Sequence, residues 1–422
     1  MSSDYLTALN SAVAEFKKIE YLDTMSQYPY LFQAPLYTML PHNSSYHNDT
    51  YRWKADMGTL DGISFDTISL DSPVLEGDEA SISMKKMYQT IEFDRFSMMT
   101  MKNPKASAID LAQKAIEKAS LERAQTLDLQ IVASDTTGAI GTIDTGGVLD
   151  NGSGSYTLTI SAATRAYGQF RRRLMLNVGT SSDIFEVTDI DDINHKVTLL
   201  RRSGGSKVPV VGDILYRQRG RGNYPTGLKE IIEGSGSLYG IPRKHGWQSL
   251  KVDWTNQALS EQKLLELFLK VYARAQEYPD ILVLSPSQMI RLEAIVRTNS
   301  IAIRDALVKR TDSEGKELTY PVPNVSYLNL GGQSVKLLMH PGLASGSGYF
   351  INSKHLELVS CGPGEFVNPI SGSDGTLQYM GNTTGKDAYR TIWAYYYNLR
   401  CDRPEAHGGF VNAITTTKEN LF

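Results

Sequence analysis

Cysteine is nearly absent: Cys361 and Cys401 are the only two in 422 residues, so no disulfide framework holds this chain together. Free buried thiols are the plain reading of both. Long apolar runs are absent too, and nothing approaches the ~20 residues that a membrane-spanning helix needs. The N-terminal stretch MSSDYLTALNSAVAEFKKIEYL lacks the basic start, apolar stretch and cleavage site of a secretory leader. These absences predict a protein that is cytoplasmic when made and has no membrane partner. An excess of positive charge is also missing. With 43 Lys and Arg against 46 Asp and Glu the formal net charge is −3, unlike the clearly basic balance of a general nucleic-acid binder.

Catalytic and metal signatures are missing as well. The seven histidines are scattered, and only His42 and His47 are close neighbours. There is no Gly-x-Ser-x-Gly elbow, no His-Glu-x-x-His and no Walker-type loop. GSGSLYG lacks the spacing of a dinucleotide fingerprint and reads as a turn. The acidic set Asp189, Asp191 and Asp192 lacks the Gly and Glu positions of a calcium loop and reads as a solvated hairpin turn. No cofactor is expected, and the chain does not read as an enzyme.

What is present is an unusual strand signal. In MKKMYQTIEFDRFSMMTM, Met84 to Met101, one parity carries Met87, Gln89, Ile91 and Phe93, and the other Tyr88, Thr90, Glu92 and Asp94. That is a strand with two dissimilar faces. As one strand it would reach roughly 60 Å at about 3.3 Å per residue, longer than the ~40 Å width of a 150-residue domain. YRWKADM, Tyr51 to Met57, alternates likewise, and the segment between the two is rich in Gly, Ser and Asp. The pair predicts a protruding hairpin. A lone hairpin is marginally stable in water, so this one needs a surface on its own chain or on another copy.

The pattern elsewhere alternates between helix and strand. Residues 3–19 carry Leu6, Leu9, Val13 and Phe16 at helical spacing, followed by an aromatic, proline-bearing arm. ASAIDLAQKAIEKASLERAQTLDLQIVAS predicts a long helix with Ser107 as N-cap, a rod of roughly 40 Å for about 26 residues. SDTTGAIGTIDTGGVLDNGSGS reads as a flexible connection, and SAATRAYGQFRRRLML as a short basic helix. DIFEVTDIDDINHKVTLLRR reads as a hairpin turning near Asp191–Asn194, and VPVVGDILYRQ as a third strand, together a small β insertion over residues 180–220. A helix near Ser260–Gln276, the strand DILVLS and the helix PSQMIRLEAIVR follow as an α/β region. SVKLLMHPGLASGSGYFINSKHLELVS supplies two or three strands, and DAYRTIWAYYYNLRCDRP another long one. The basic clusters Arg171–Arg173, Arg201–Arg202 and Arg217–Arg221 suit phosphates or carboxylates. Inter-subunit or solvated roles are favoured, although a locally basic face next to nucleic acid is compatible with an acidic chain.

This order of elements resembles the major capsid proteins of tailed bacteriophages, the fold named after phage Hong Kong 97. The resemblance rests on the arm, the hairpin from YRWKADM to MKKMYQTIEFDRFSMMTM, the helix AIDLAQKAIEKASLERAQTLDLQIVAS, the region PDILVLSPSQMIRLEAIV, and HPGLASGSGYFINSKHLELVSCGPG leading into TIWAYYYNLRCDRPEAHGGFVN. It covers nearly the whole chain through order and spacing, with no diagnostic motif.

The resemblance implies an α+β fold with an N-terminal arm (1–45), an extended hairpin loop (46–103), a peripheral domain with a spine helix (104–178), an inserted β module (179–222), an axial domain (223–338) and a return to the peripheral domain (339–422). It implies a structural protein that assembles with itself, as pentamers and hexamers, into an icosahedral virion shell around double-stranded DNA, built in the host cytoplasm. A separate scaffolding protein, a portal and a decoration protein are the implied partners, because the chain lacks the long helical N-terminal extension that some members use as a built-in scaffold. The overlong strand would find its partner surface on another copy. Candidate inter-subunit residues are Arg52, Lys54, Lys85, Lys86, Glu92, Asp94 and Arg95 in the hairpin, with Arg171, Arg172 and Arg173. Some family members weld this arm to a neighbour by a lysine–asparagine bond, although strand lysines more often protect an edge. An encapsulin-type cellular compartment is the nearer alternative, and an α/β hydrolase or nucleotide-binding enzyme built on DILVLS the farther one.

Overall fold

A computed structural model describes residues 34–46, 48–55, 78–94, 104–161, 168–191, 194–244, 246–299, 304–311, 317–362, 364–367, 378–379 and 387–414. The helix expected over residues 3–19, Arg95 and the hairpin loop 56–77 lie outside the described residues. In chain order, α1 (Pro35–Met39) and β1 (His42–Asn43) precede β2 (Thr50–Lys54), β3 (Glu79–Ser83) and β4 (Lys85–Asp94). The helix α2 (Pro104–Ala133) leads into β5 (Ala139–Gly152), β6 (Ser155–Ile160), β7 (Met175–Val178), β8 (Ile184–Asp191), β9 (Lys196–Ser203) and β10 (Ile214–Arg217). Next come α3 (Leu228–Glu233), β11 (Ser237–Leu238), β12 (Ile241–Pro242), β13 (Leu250–Asp253), α4 (Glu261–Ala275), β14 (Ile281–Leu284) and α5 (Pro286–Asn299). The rest is mainly strand: β15 (Arg304–Thr311), β16 (Glu317–Leu330), β17 (Gln333–Met339), β18 (Gly348–Ile351), β19 (Leu356–Ser360), β20 (Glu365–Val367), β21 (Gln378–Tyr379), β22 (Ala388–Cys401) and β23 (Gly408–Val411).

The chain forms two compact units, each assembled from distant segments. The first takes Met1–Asp49, Ser83–Asp128 and Leu358–Asn398. Its sheet is organised around β22. β4 runs antiparallel to β22 from Asp94 opposite Ala388 to Lys85 opposite Tyr397, while β20 and β21 also pair with it. β1 pairs in parallel with β19. Along β22, Trp393, Tyr395 and Tyr397 stack ring on ring at 5.3 and 5.0 Å, so period-two alternation places three aromatic rings on one face. The helix α2 starts at Pro104, not after a Ser107 cap. Proline suits a first helical position because the N–H it lacks would have no intrahelical acceptor there. Tyr37 N–H donates to Asp128 Oδ1 at 2.7 Å, tying α1 to this helix.

The expected pairing of YRWKADM with the strand beginning at Met84 is corrected here, while residues 95–101 of that strand lie outside the described residues. The partner of β2 is β3, and β4 pairs with β22 of its own chain. Ala55 N–H bonds to Asp78 O and Met84 N–H to Asp49 O, which makes β2 and β3 antiparallel. Met84 is buried at the junction where the chain leaves one ladder for the other. An alternating pattern specifies a strand and its faces but not its partner. Here residues 388–397 of β22 pair with β4 along one edge.

The second unit takes Thr50–Ile82, Leu129–Glu357 and Leu399–Phe422. Within it, six strands close into a barrel in the order β10-β5-β6-β9-β8-β7. Burial alternates along β6 and over the first half of β8, and Leu158, Leu176, Phe185, Val187, Leu199 and Leu215 fill the interior. The segment read as a flexible connection is β5. Its glycines hid the strand: Gly141 lets Phe170 approach its backbone, and the register shifts between Ile143 and Val148. The segment read as a basic helix is, over its described part, a turn at 168–174 followed by β7. Arg173 has φ +68°, in the left-handed region, which ends any helix there.

The other sheet of this unit has seven strands in the order β13-β23-β18-β14-β17-β16-β15. It is mixed: β14 is parallel to β17 and antiparallel to β18. All four residues of β14 are buried, which explains its unbroken apolar sequence. α4 is capped by Ser260, whose side chain accepts from Lys263 N–H, and stops at Gln276 with φ 57°. Its inward face of Leu264, Leu267, Phe268 and Val271 joins the core of this sheet. Burial of each such side chain stabilises by about 1.5–3 kcal/mol.

Candidate functional site

Cys401 and the Gly- and Ser-rich segments have structural surroundings among the described residues. Cys401 is fully buried, and burial pushes its thiol well above the usual range, so it is no nucleophile near neutral pH. GSGSLYG is the turn into β11 and β12, and ASGSGY the turn between β17 and β18. A cavity of about 230 Å³ in the second unit is lined in part by Lys229, Glu233, Lys251 and Tyr349. Three of its polar side chains have partners within the protein. Lys229 Nζ meets Asp135 Oδ2 at 3.1 Å, Lys251 Nζ donates to Glu233 O at 3.3 Å, and the Tyr349 hydroxyl donates to the Glu233 carboxylate. Among the described residues no group of three His, Cys, Asp or Glu is placed to hold a metal ion, and no helix is long and apolar enough to cross a membrane.

The candidate contact residues fall on three elements. Arg52 faces Glu79 across the β2–β3 ladder at 3.7 Å with both side chains mostly exposed, a geometry worth at most about 1 kcal/mol. Lys54 and Lys86 are exposed. Lys85 and Lys86 stand opposite Tyr397 and Tyr396 in the β4–β22 register, and Glu92 opposite Arg390, a cross-strand pair of opposite charge. Asp94 ends β4 opposite Ala388. Arg171, Arg172 and Arg173 lie on the turn entering β7 of the barrel. Arg172 pairs with Asp189 at 2.5 Å, which uses one of the imagined cation ligands, and Arg173 N–H bonds to Val187 O. The nine described candidates therefore belong to separate elements, and Arg95 lies outside the described residues.

A denser polar cluster, missed by sequence reading, occurs in the second unit. His355 Nδ1 lies 2.9 Å from Asp402 Oδ1, and its Nε2 lies 3.0 Å from Glu277 Oε2. Arg403 bridges Glu277 at 3.1 Å and Glu405 at 3.2 Å. Arg400 Nη1 donates to Glu357 Oε2 at 2.8 Å, its Nη2 lies 3.9 Å from Asp402 Oδ2, and its guanidinium faces the rings of Tyr51 and Trp53 at 5.6 and 5.5 Å. The hydrogen bond to Asp402 raises the His355 pKa above its usual value against the opposing effect of burial, and the bond to Glu277 adds to the rise. The His355 bond likewise lowers Glu277. Burial would raise Asp402, but the bond to His355 and the charges of His355 and Arg400 bring it below its usual value. His407 beside them is fully buried, and desolvation lowers its pKa to about 3. The charged run LRCDRPEAH at the end of β22 is the sequence signal for this cluster, but Glu277 and His355 are too distant in sequence to be joined to it by spacing.

No family model matches the chain, and no curated protein matches it. Among solved structures it is similar to the Cyanophage A-1(L) capsid asymmetric unit, with a TM-score of 0.48 and 13% identity over 91% of this chain and 93% of that one. It is similar to the holo-SrpI encapsulin complex from Synechococcus elongatus, with a TM-score of 0.45 and 10% identity over 91% of this chain and 89% of that one. It is also similar to the capsid of Myoviridae Phage XM1, with a TM-score of 0.40 and 9% identity over 90% of this chain and 92% of that one.

Proposed function

We propose that this chain is the major shell subunit of a tailed phage, assembling as pentamers and hexamers into an icosahedral capsid that encloses double-stranded DNA. The observation that supports this reading best is the interleaved layout. One unit combines the first part of the thirty-residue helix α2 with a sheet in which β4 and the distant β22 pair. The chain between these segments builds a barrel and a separate seven-stranded sheet. In the proposed role the first unit is the peripheral domain and the seven-stranded sheet belongs to the axial domain. The segment between Lys54 and Glu79 is the part that reaches a neighbouring copy, with Arg52, Lys54, Lys85, Lys86, Glu92, Asp94, Arg95 and Arg171–Arg173 as contact candidates. The work of such a protein is assembly without turnover. Contacts that are individually modest multiply over a closed lattice. Scaffolding, portal and decoration proteins complete the proposed set of partners, and the virion is the proposed location.

Light scattering and negative-stain microscopy of the purified protein, alone and co-expressed with its genomic neighbours, test this reading. Rings of five or six or closed polyhedral shells are the expected result. Shell contents then separate a genome container from an encapsulin-type compartment holding a cargo enzyme. A monomer or dimer under every condition overturns the assembly reading.

A further inference from the structure

The cluster around His355 has a feature that a purely structural ion-pair network does not need. Both ring nitrogens of one imidazole face a carboxylate, at 2.9 and 3.0 Å. A neutral imidazole has one N–H, so it can donate to only one of them, and its other nitrogen then presents a lone pair to a carboxylate oxygen. Only the imidazolium satisfies both contacts. The two carboxylates come from different places: Glu277 follows α4, and Asp402 follows β22. His355 itself closes the short helical turn Ser353–His355 before β19. The ring is therefore a three-way tie whose fit depends on one proton.

The tie continues to the hairpin. The second oxygen of Asp402 faces Arg400, and Arg400 lies against Tyr51 and Trp53 of β2 while bonding to Glu357. Trp53 in turn packs edge-on against Tyr239 at 5.0 Å, and Tyr239 accepts the Ser81 N–H from β3 on its backbone carbonyl. The root of the hairpin thus rests on a guanidinium whose carboxylate neighbour is shared with His355. The other charged or titratable groups around the ring are Arg403, which holds Glu277 and Glu405, and the buried, neutral His407, whose Nδ1 accepts from Asn352 N–H. Asp280 holds the start of the His355 turn through the N–H and hydroxyl of Ser353.

We propose that His355 is a proton-operated clamp: as an imidazolium it fixes Asp402 and Glu277 and thereby the Arg400 seat of strand β2, and on losing its proton it frees Asp402 to draw Arg400 away from Tyr51 and Trp53, loosening the hairpin root. The clamp holds while His355 is protonated and both carboxylates are ionised, and it opens as pH rises through the raised folded pKa of His355. It is a property of the single chain and does not depend on the shell reading.

Hydrogen exchange read by mass spectrometry on the unassembled full chain, at pH 6 and pH 8.5 with intrinsic rates corrected, tests the clamp. The expected result is a several-fold loss of protection at pH 8.5 in peptides covering 50–55 and 352–357, with the barrel strands β8 and β9 unchanged. His355→Gln should give the low-protection state at both pH values. Asp402→Asn, which keeps the Glu277 contact but removes the charged link to Arg400, should retain a pH response at 352–357 and lose it at 50–55. That variant carries the test alone if His355→Gln does not fold. A wild-type chain with no pH response at 50–55 overturns the proposal. So does a response there that survives either substitution.

Discussion

The guanidinium of Arg123 on α2 lies 3.9 Å from the ring centroid of Trp393 on β22. This stack joins the long helix to the central strand of the first unit, and Arg123 also donates to Ser120 Oγ at 2.6 Å. Arg123→Ala should destabilise by about 1–2 kcal/mol, the worth of a partly desolvated cation–π contact with its lost packing. Arg123→Lys should recover only part of that, because an ammonium keeps the charge but not the planar stack. Urea midpoints of the two variants check this ordering.

At the hairpin root, Tyr239 carries two separable roles. Its ring meets Trp53, and its hydroxyl donates to Leu399 O at 2.9 Å. Tyr239→Phe keeps the ring contact and should cost about 1 kcal/mol for the lost hydrogen bond. Trp53→Ala removes a buried ring and should cost about 3–5 kcal/mol. Equal effects in urea unfolding would show that the hydroxyl, not ring packing, anchors the root.

The barrel contains a glycine that no other residue replaces. Gly204 has φ +112°, and a Cβ built on it would sit 2.5 Å from Asp183 Oδ1. That carboxylate holds the loop by accepting from Gly205 N–H at 2.7 Å and Lys207 N–H at 3.0 Å. Gly204→Ala should therefore destabilise by about 1–3 kcal/mol from backbone strain alone, with further loss from displacing Asp183. A thermal scan in which G204A melts with wild type would contradict this account.

His407 and His355 set opposite limbs of the pH–stability curve. The folded pKa of His407 is about 3, so below about 6.5 the unfolded chain binds a proton that the folded chain refuses. Stability should fall as pH drops from about 6.5, at up to about 1.4 kcal/mol per pH unit for this one proton. His355 has a raised folded pKa, so its contribution is complete below about 6.5 and is lost as pH rises through the folded value. Asp402 and Glu277, both lowered, contribute above about pH 4 and add to the acid loss as pH falls through their folded values. The optimum for this cluster should lie near pH 6.5. In His407→Leu the acid limb should flatten while the alkaline limb stays, as read by urea titrations at stepped pH.

Replacing residues 58–75 by a short turn leaves β2, β3 and the Ala55–Asp78 bond intact. On the proposed shell role, the shortened protein should keep the wild-type urea midpoint and lose particle formation. Particles of normal size from it would remove this loop from the assembly contacts.

Sequence and structure agree best where one segment carries its own pattern. Ser260, the apolar stripe of α4 and Gln276 define a helix that needs no outside information, and the four apolar residues of β14 define a buried strand. The β8–β9 turn was legible from its charged tip, and His195 there has φ 57°. Agreement fails where glycine masks alternation, as in β5, and where Arg-rich amphipathicity mimics a helix before β7. The His355 cluster was invisible for another reason: its members come from three separate stretches, and spacing carries no information about side chains joined by tertiary contact.

The sequence by itself determined the mixture of helix and strand, the presence of the long helix α2, the existence of α4, β14 and β22, and the scarcity of cysteine and excess charge, because these follow from local periodicity and composition. Only the tertiary structure decided that β4 pairs with β22, that residues 139–217 close a barrel, and that Glu277, His355, Arg400 and Asp402 share one network. Strand pairing is settled by which edge satisfies the most hydrogen bonds and buries the matching face. A charge finds its partner by geometry across the fold, which no single stretch of chain contains.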